Sequence, residues 1–488
     1  MAINEYLVRD SDTLATALRV IDGNGLGLAF AVDRDGRLSG AVSSTGIAAQ
    51  LRKGQTLDAC VASAMTKAES APADSSDNTV AERVNGVGHI VALVDADRRP
   101  IEFATPARPQ RIPVAEPALL GNELKYVTEC ITTNWISSQG SFVRRFETEF
   151  AARLGVPHAL AVSNGTVALH LALKAFDIGP GDEVIVPDLT FAATINSVLH
   201  AGATPVIVDV DPLTWNIDPE AITAVITPRT RAIMPVHLYG QPADMDAIMA
   251  LAERHNLIVI EDAAEAAGTL YKGRPCGSIG HAGTFSFFSN KVITTGEGGM
   301  VVFRDDRAAE RGKRLRDHGM NPAKRYWHDE VGFNYRLTNL QAAIGCAQLE
   351  QFDGFIARKQ AIAKAYRARL GHIDGLRLPV EIAGSRNSYW MVSVIAELER
   401  AGLDRDAFMA RLSKAGIETR PLFYPLHEMP PYRAYAGNRA FPHATKLSAR
   451  GLSLPSGITL TDGQLDYVCG VIERCLTARS LVQRTQPA

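Results

Sequence analysis

Between residues 183 and 260 the chain repeats one device that leaves few folds open to it. Short apolar runs at 183–186, 205–208, 232–236 and 257–260, rich in Val and Ile, are spaced by helical stretches such as Met245–His255. These runs do not alternate with polar residues, so each strand is buried on both faces. Strands of that kind, separated by helices, pair in parallel beneath two helical layers. The pattern predicts an α/β fold built on a mostly parallel sheet. Ahead of it, Phe142, Phe146, Phe150 and Leu154 recur every four residues on one helical face, and Gly155 stops that helix. From about Gly375 the order becomes strand (389–396), helix (404–415) and strand (419–423), which predicts a smaller C-terminal α+β domain.

The first hundred residues follow another grammar, and follow it twice. Leu14, Ala17, Leu18 and Ile21 mark an amphipathic helix, followed by a strand at 28–32, the turn Asp33-Arg34-Asp35-Gly36 and a strand at 38–42. Then Asn78-Thr79-Val80 opens a short helix, 90–94 reads as a strand, and Asp95-Ala96-Asp97 turns into 99–103. Two helix-led β-β units predict a small module with its own core. The glycine-rich stretch 23–27 precedes a strand instead of following one, so it reads as a turn and not a dinucleotide loop. Pro106, Pro109 and Pro113 mark a linker.

Composition narrows the function classes. Fifty-one Lys and Arg face 53 Asp and Glu, a net charge of −2 with no basic stripe, which argues against nucleic-acid binding. The six cysteines form no CxxC pair and no Cys/His cluster, so no metal site is expected. No stretch approaches the roughly 20 apolar residues of a membrane helix, so no membrane partner is expected. Residues 1–12 carry Glu5, Arg9, Asp10 and Asp12 without the apolar core of a signal peptide. A cytoplasmic protein with free thiols is expected.

Four segments carry chemistry. In Thr284-Phe-Ser-Phe-Phe-Ser-Asn-Lys-Val-Ile-Thr-Thr-Gly-Glu-Gly-Gly-Met300, Lys291 follows an apolar strand and precedes a glycine-rich loop. A partly desolvated lysine has a lowered pKa and forms Schiff bases with carbonyls. A lone lysine near a turn is ordinarily a surface residue, and three other segments change that weighting. Asp262 ends the apolar run 257–260, at the sheet edge where α/β folds bind ligands. Such a carboxylate is placed to keep a pyridine nitrogen protonated, although an aspartate there is also a common helix cap. Ser163-Asn164-Gly165-Thr166 leads a strand into an Ala/Leu-rich helix, whose free N–H groups attract phosphate; by itself it is an Asn-Gly turn with a Thr cap. Phe191 follows another strand end, where an aromatic either stacks on a flat ring or joins the core.

Taken together and in this order, these segments resemble the DegT/DnrJ/EryC1/StrS sugar aminotransferases from about residue 113 to the end. The resemblance implies the aspartate aminotransferase fold (fold type I) and pyridoxal 5'-phosphate (PLP) as cofactor. It implies that Lys291 bonds the cofactor aldehyde and shuttles protons, that Asp262 pairs with the pyridinium, and that Glu265 lies near the ring hydroxyl. By the same comparison Phe191 stacks on the ring and Gly165, Thr166 and Ser286 bind the phosphate. An asparagine of the partner subunit joins them, which in Val331-Gly-Phe-Asn-Tyr-Arg-Leu-Thr-Asn-Leu-Gln341 points to Asn334; a homodimer with shared active sites follows. Relatives with histidine in place of Lys291 remove a hydroxyl instead, so the lysine implies transamination.

Ser388-Tyr-Trp-Met391 and the run 416–432 resemble the perosamine synthase branch, which aminates C4 of a GDP-linked 4-keto-6-deoxyhexose with L-glutamate. That comparison places Arg420 and His427 near the sugar or its diphosphate, with the turn Trp135-Ile-Ser137-Ser. A guanidinium forks onto two diphosphate oxygens, while His427 serves equally well as a hydrogen-bonding residue of the small domain. The N-terminal region, by Leu28-Ala-Phe-Ala-Val-Asp-Arg-Asp-Gly-Arg-Leu-Ser-Gly40 and the helix start Gly46-Ile47, resembles a tandem CBS module with a truncated second copy. Such modules often bind adenine nucleotides, and the acidic position they use for a ribose falls at about Gly46 here. The expected organisation is a CBS-like module (1–105), a linker (106–113), a PLP-binding large domain (114–370) and a small domain (371–488). Two alternatives are the same chemistry on a UDP- or dTDP-linked keto sugar, and a non-catalytic regulator that senses a nucleotide.

Overall fold

The computed structural model describes residues 3–24, 27–73, 75, 80, 83–84, 90–104, 112–398 and 403–477. Most of the expected linker, and Asn78 and Thr79 of the expected second helix, lie outside the described residues. In the N-terminal region β1 (Leu7–Arg9) runs parallel to β2 (Leu28–Val32), which pairs antiparallel with β3 (Leu38–Ser43). The same arrangement returns in β4 (Ser70–Pro72), β5 (Val91–Val94) and β6 (Pro100–Ala104). Each unit thus has one strand more than the sequence pattern suggests, because three residues are too few to display a period. Helix Leu14–Asn24 turns Leu14, Ala17 and Ile21 inward, and Ser43 accepts the Gly46 N–H at 3.1 Å to start helix Ser44–Arg52. The two sheets meet along a seam of Ile3, Tyr6, Phe30, Val94 and Phe103.

The central sheet has seven strands: β7 (His158–Val162), β8 (Glu183–Pro187), β9 (Thr204–Val208), β10 (Thr230–Ile233), β11 (Ile258–Asp262), β14 (Ala282–Ser286) and β15 (Gly299–Phe303). A two-residue hairpin, β12 (Leu270–Tyr271) and β13 (Arg274–Pro275), stands apart. Their order is β7-β15-β14-β11-β10-β8-β9, with β15 antiparallel to both neighbours and the remaining pairs parallel. The sheet is therefore mixed. The loop 287–298 between β14 and β15 returns the chain along the same sheet edge without a helix, whereas each parallel pair needs a crossover. Helix Ser141–Leu154 buries Phe142, Phe146, Phe150 and Leu154, and Gly155 ends it at φ 67°. The rings of Phe146 and Phe150 pack on Phe287 at 5.0 and 5.5 Å, and Phe150 meets Phe285 at 4.9 Å. These aromatics brace the strand end that leads to Lys291.

The C-terminal sheet runs β16 (Leu376–Arg377), β17 (Val392–Ala396), β19 (Gly451–Leu454), β18 (Arg420–Pro421). Two strands are shorter than their apolar runs. Tyr389 takes φ 52°, with its N–H donated to the Asn387 side chain at 2.6 Å, which delays β17 to Val392. Phe423 donates its N–H to the Tyr239 hydroxyl at 2.9 Å, so β18 stops at Pro421. Helix Phe352–Leu370 serves two cores: Phe352, Phe355 and Ile356 join that of the central sheet, and Ile362, Tyr366 and Leu370 join the C-terminal one. The N-terminal region is tied to the C-terminal domain. Ile112 exchanges backbone bonds with Gly416 and Glu418 at 2.9 and 3.0 Å, and Gln464 donates to buried Glu102 at 2.8 Å. Among the described residues no helix is long and apolar enough to cross a membrane.

Candidate active site

The register of the central sheet brings the chemistry-bearing loops together. Ser286 lies opposite Gly299 across β14–β15, and Gly299 lies opposite Val162 across β15–β7, one turn before Asn164 and Gly165. A Cβ on Gly165 would stand 2.9 Å from that of Ser286, and one on Gly299 would stand 2.5 Å from the Asn164 carbonyl. Only glycine lets the loops close this tightly. Asn164 caps helix Gly165–Ala175 by accepting the Val167 N–H at 3.0 Å, which leaves the N–H groups of Gly165 and Thr166 at the positive helix end.

A cavity of about 400 Å³ opens at this edge of the sheet. Gly165, Thr166 and Ser286 line one end; Asp262 and Glu265 line its floor; Lys291, Phe191 and Arg420 complete it. Phe191 is 59% exposed and tilts towards Phe423, with ring centres 5.7 Å apart. Four residues named from sequence do not line the cavity of their own chain. Trp135 and Ser137 are exposed, and their carbonyls accept bonds from Asn339 at 2.6 and 3.0 Å. Asn334 is exposed beside Asp317. His427 has its Nδ1 2.6 Å from buried Asp188 and stacks on Phe441 at 4.6 Å.

The electrostatics of the cavity come from burial. Asp262 ends β11 with Oδ2 accepting the Thr194 hydroxyl at 2.8 Å and Oδ1 accepting the Ala264 N–H at 3.2 Å. Burial raises its pKa, and these donors, Lys291 and His237 pull it back. Glu265 is pushed up to about 7 by burial against the pull of Lys291 and the Tyr239 N–H, which it accepts at 2.7 Å. Lys291 Nζ stands 3.9 Å from Glu265 Oε1. Burial lowers its pKa, the two carboxylates oppose this, and Arg420 adds to it. The site thus holds a buried lysine whose pKa is lowered by desolvation, facing two buried carboxyl groups whose pKa values are raised. Behind Asp262, buried His237, Glu261 and Cys276 have the spacing of a metal trio. Glu261 already accepts from His237 and from the N–H groups of Gly277, Ile279 and Gly280, and His237 Nδ1 accepts the Ala243 N–H. Glu261 and His237 thus already serve as a brace between β11 and the loop 277–280.

Two lining residues, Tyr239 and Trp390, and one residue behind the lining, Thr194, are not marked as site residues by the sequence. Thr194, whose hydroxyl bonds Asp262, sits in the first turn of helix Ala193–His200, and no sequence signal ties it to residue 262. Tyr239 takes φ 53° before Gly240, and a Tyr-Gly pair after an apolar strand is a turn signal. Trp390 was read as a mark of a branch and not as part of the site; it lies against Lys291.

The comparisons agree with this geometry. Residues 117–473 match the DegT/DnrJ/EryC1/StrS aminotransferase family. The chain is 50% identical to GDP-perosamine synthase of Caulobacter vibrioides over 367 residues, 75% of this chain and 98% of that one. It is 46% identical to GDP-perosamine synthase of Vibrio cholerae over 362 residues, 74% and 98% of the two chains. The crystal structure of DesI in the presence of its TDP-sugar product has a TM-score of 0.70 at 34% identity, covering 77% of this chain and 95% of DesI. The chain belongs to the DegT/DnrJ/EryC1/StrS aminotransferase family, and its cofactor is PLP. The cavity suits that group: a glycine-walled anion pocket at one end, a buried carboxylate on the floor and a desolvated lysine beside it. Thr194→Val removes a donor that keeps Asp262 ionised. PLP binding, followed by absorbance titration, weakens about tenfold, the worth of a bond to a charged group. Because the Asp262 pKa is already raised and rises further without Thr194, the anion is lost first on the acid side, so the loss is larger at pH 6 than at pH 8.

Proposed function

We propose that this aminotransferase moves the amino group of L-glutamate to C4 of a GDP-linked 4-keto-6-deoxyhexose, as a perosamine synthase-like enzyme. The substrate class is supported by relatives at 50% and 46% identity named GDP-perosamine synthase, each covered almost end to end. The observation that carries the reaction type is Lys291, a buried amine beside Glu265 in a cavity floored by Asp262. When bound, PLP supplies an aldehyde for the incoming amine and a ring that accepts electrons from a broken C–H bond. Asp262 supplies the fixed negative charge under the ring nitrogen. Lys291 Nζ takes the α-proton of the donor and later returns a proton to the sugar carbon. Gly165, Thr166 and Ser286 hold the phosphate, Phe191 covers the ring face, and Glu265 stands at its hydroxyl. Arg420, half-buried at the cavity wall, meets the sugar diphosphate. His427 offers a ligand only its Nε2, because Nδ1 is held by Asp188. A second reading, the same reaction on a dTDP- or UDP-linked keto sugar, is favoured by the likeness to DesI, which was crystallised with a TDP-sugar product.

The functional unit in this reading is a homodimer. Trp135 and Ser137 are exposed and accept bonds from Asn339, Asn334 is exposed beside Asp317, and the same stretches of chain carry exposed Ile131, Ile136, Trp327 and Val331. A second copy seated there carries this edge to the other cavity, so that Asn334 of the partner subunit completes the phosphate site. Residues 1–105 are read as a CBS-like module, 106–113 as a linker, 114–370 as the PLP-binding domain and 371–488 as the small domain. What supports the CBS-like reading is the repeated topology of β1-β2-β3 and β4-β5-β6, and an adenine nucleotide is the ligand it implies.

An amination screen of 4-keto-6-deoxy sugars on GDP, dTDP and UDP, read by mass, gives the 4-amino product chiefly from the GDP sugar. Lys291→Ala gives none while keeping its circular dichroism spectrum; turnover in that variant removes the lysine from its role. Mixing inactive Lys291→Ala with inactive Asn334→Ala restores about a quarter of the wild-type rate if subunits exchange at random, since one in two dimers then has one intact site. No recovery in verified hybrids counts against shared sites. Calorimetry with ATP, ADP and AMP on the full chain shows binding that is lost when residues 1–105 are removed; flat traces for all three discard the nucleotide reading.

A further inference from the structure

Lys359, on helix Phe352–Leu370, is 3% exposed and has no carboxylate partner among the described residues. Its Nζ donates instead to two carbonyls, Trp390 at 2.8 Å and Ser456 at 2.6 Å. A neutral amine has two N–H groups, which these acceptors match, and burial pushes the Lys359 pKa down to about 7. The amine therefore ties the segment entering β17 to the segment leaving β19. Ser456 reinforces the tie by accepting the Val392 N–H on Oγ at 3.2 Å. A buried lysine is a costly way to join two strands, and what the joint holds is the indole of Trp390. That ring donates its N–H to the carbonyl of Asn290, the residue before Lys291, at 2.8 Å, and lies nearly parallel to Tyr239 at 6.1 Å and 15°. Lys291 Nζ stands 3.7 Å from its centre.

We infer that Trp390, braced by Lys359, is a positioning residue for Lys291, its indole face being the seat that holds the ε-ammonium over the cavity whenever that amine is not bonded elsewhere. The inference rests on Lys291 being the reactive amine. An aromatic face attracts a cation through its ring quadrupole and gives it a direction. The other groups facing this amine are Glu265 and Asp262, which attract it from below, and Arg420, which repels it. Tyr239 occupies Glu265 Oε2 and Thr194 occupies Asp262 Oδ2, while Glu265 Oε1 lies 3.9 Å from the amine and the indole centre lies 3.7 Å from it, so the ring is the nearer of the two attractive groups. An amine so seated stays near the carbon centres it serves instead of swinging into the open part of the cavity.

The test uses the cofactor-free full chain, where turnover plays no part. Labelling with acetic anhydride across pH, with the Lys291 peptide quantified by mass, gives the midpoint of amine titration. Trp390→Leu keeps an apolar side chain over the amine but removes the quadrupole, so the ammonium loses support and the midpoint falls by about half to one pH unit. Trp390→Phe, which keeps a ring, falls less. Lys359→Met shifts the midpoint in the same direction, and the double variant with Trp390→Leu shifts it no further than Trp390→Leu alone. A cavity merely opened by substitution admits water, which raises the labelling plateau and moves the midpoint up instead of down, an outcome that overturns the inference. The inference is overturned by an unchanged midpoint in Trp390→Leu, by equal shifts in the Phe and Leu variants, or by Lys359→Met lowering the melting temperature without moving Lys291. Failure of the catalytic reading shows separately, as turnover by Lys291→Ala.

Discussion

The structure depends on a charge placed where water does not reach it. Asp262 closes a strand that is covered on both faces, and in that setting an anion is unfavourable unless donors and cations surround it. Thr194, the Ala264 N–H and, more remotely, His237 and Lys291 supply them. Each comes from a different stretch of chain, so the demand for compensation fixes how those stretches pack. The neighbouring Glu261 meets the same demand with three backbone N–H groups and His237, and so pins the loop 277–280 behind the floor of the cavity. The low dielectric that makes these carboxylates difficult to bury also lowers the pKa of Lys291.

A cavity built on one sheet still needs a wall from elsewhere. The C-terminal domain provides it through Trp390, Met391, Arg420 and Ser453. Helix Phe352–Leu370 links the two bodies, since its first half belongs to one core and its second half to the other. The N-terminal region touches the same wall at one remove. Ile112 pairs with the backbone on either side of Ile417, and Glu418, two residues from Arg420, accepts the Val114 N–H and lies 3.6 Å from the Arg420 guanidinium.

Much of this was legible beforehand because it depends on local periodicity. The apolar runs at 183–186, 205–208, 232–236 and 257–260 became β8 to β11, and the four-residue spacing of Phe142 to Leu154 became a buried helix face. Strand ends were less legible. Tyr389 and Phe423 continue the apolar pattern but spend their N–H groups on a side chain and a hydroxyl, and a backbone bond to a distant group leaves no trace in the residues beside it. The strands Leu7–Arg9 and Ser70–Pro72 are too short for their pairing to be written into a pattern.

The site divides in the same way. Residues that end an element, such as Asp262 at a strand terminus and Gly165 at a helix start, were ambiguous one at a time, and only their order along the chain pointed to the family. Sequence by itself determined the family and which elements carry its marks: a lysine, an aspartate and an Asn-Gly turn, each just beyond an apolar run. Tertiary structure alone decided the partners. Residue 194 answers to residue 262, 390 to 291 and 359 to 390, while 334 and 135 stand outside the cavity of their own chain. Those pairings arise from packing between elements far apart in the chain, where geometry is set by the whole core and no short stretch of residues records it.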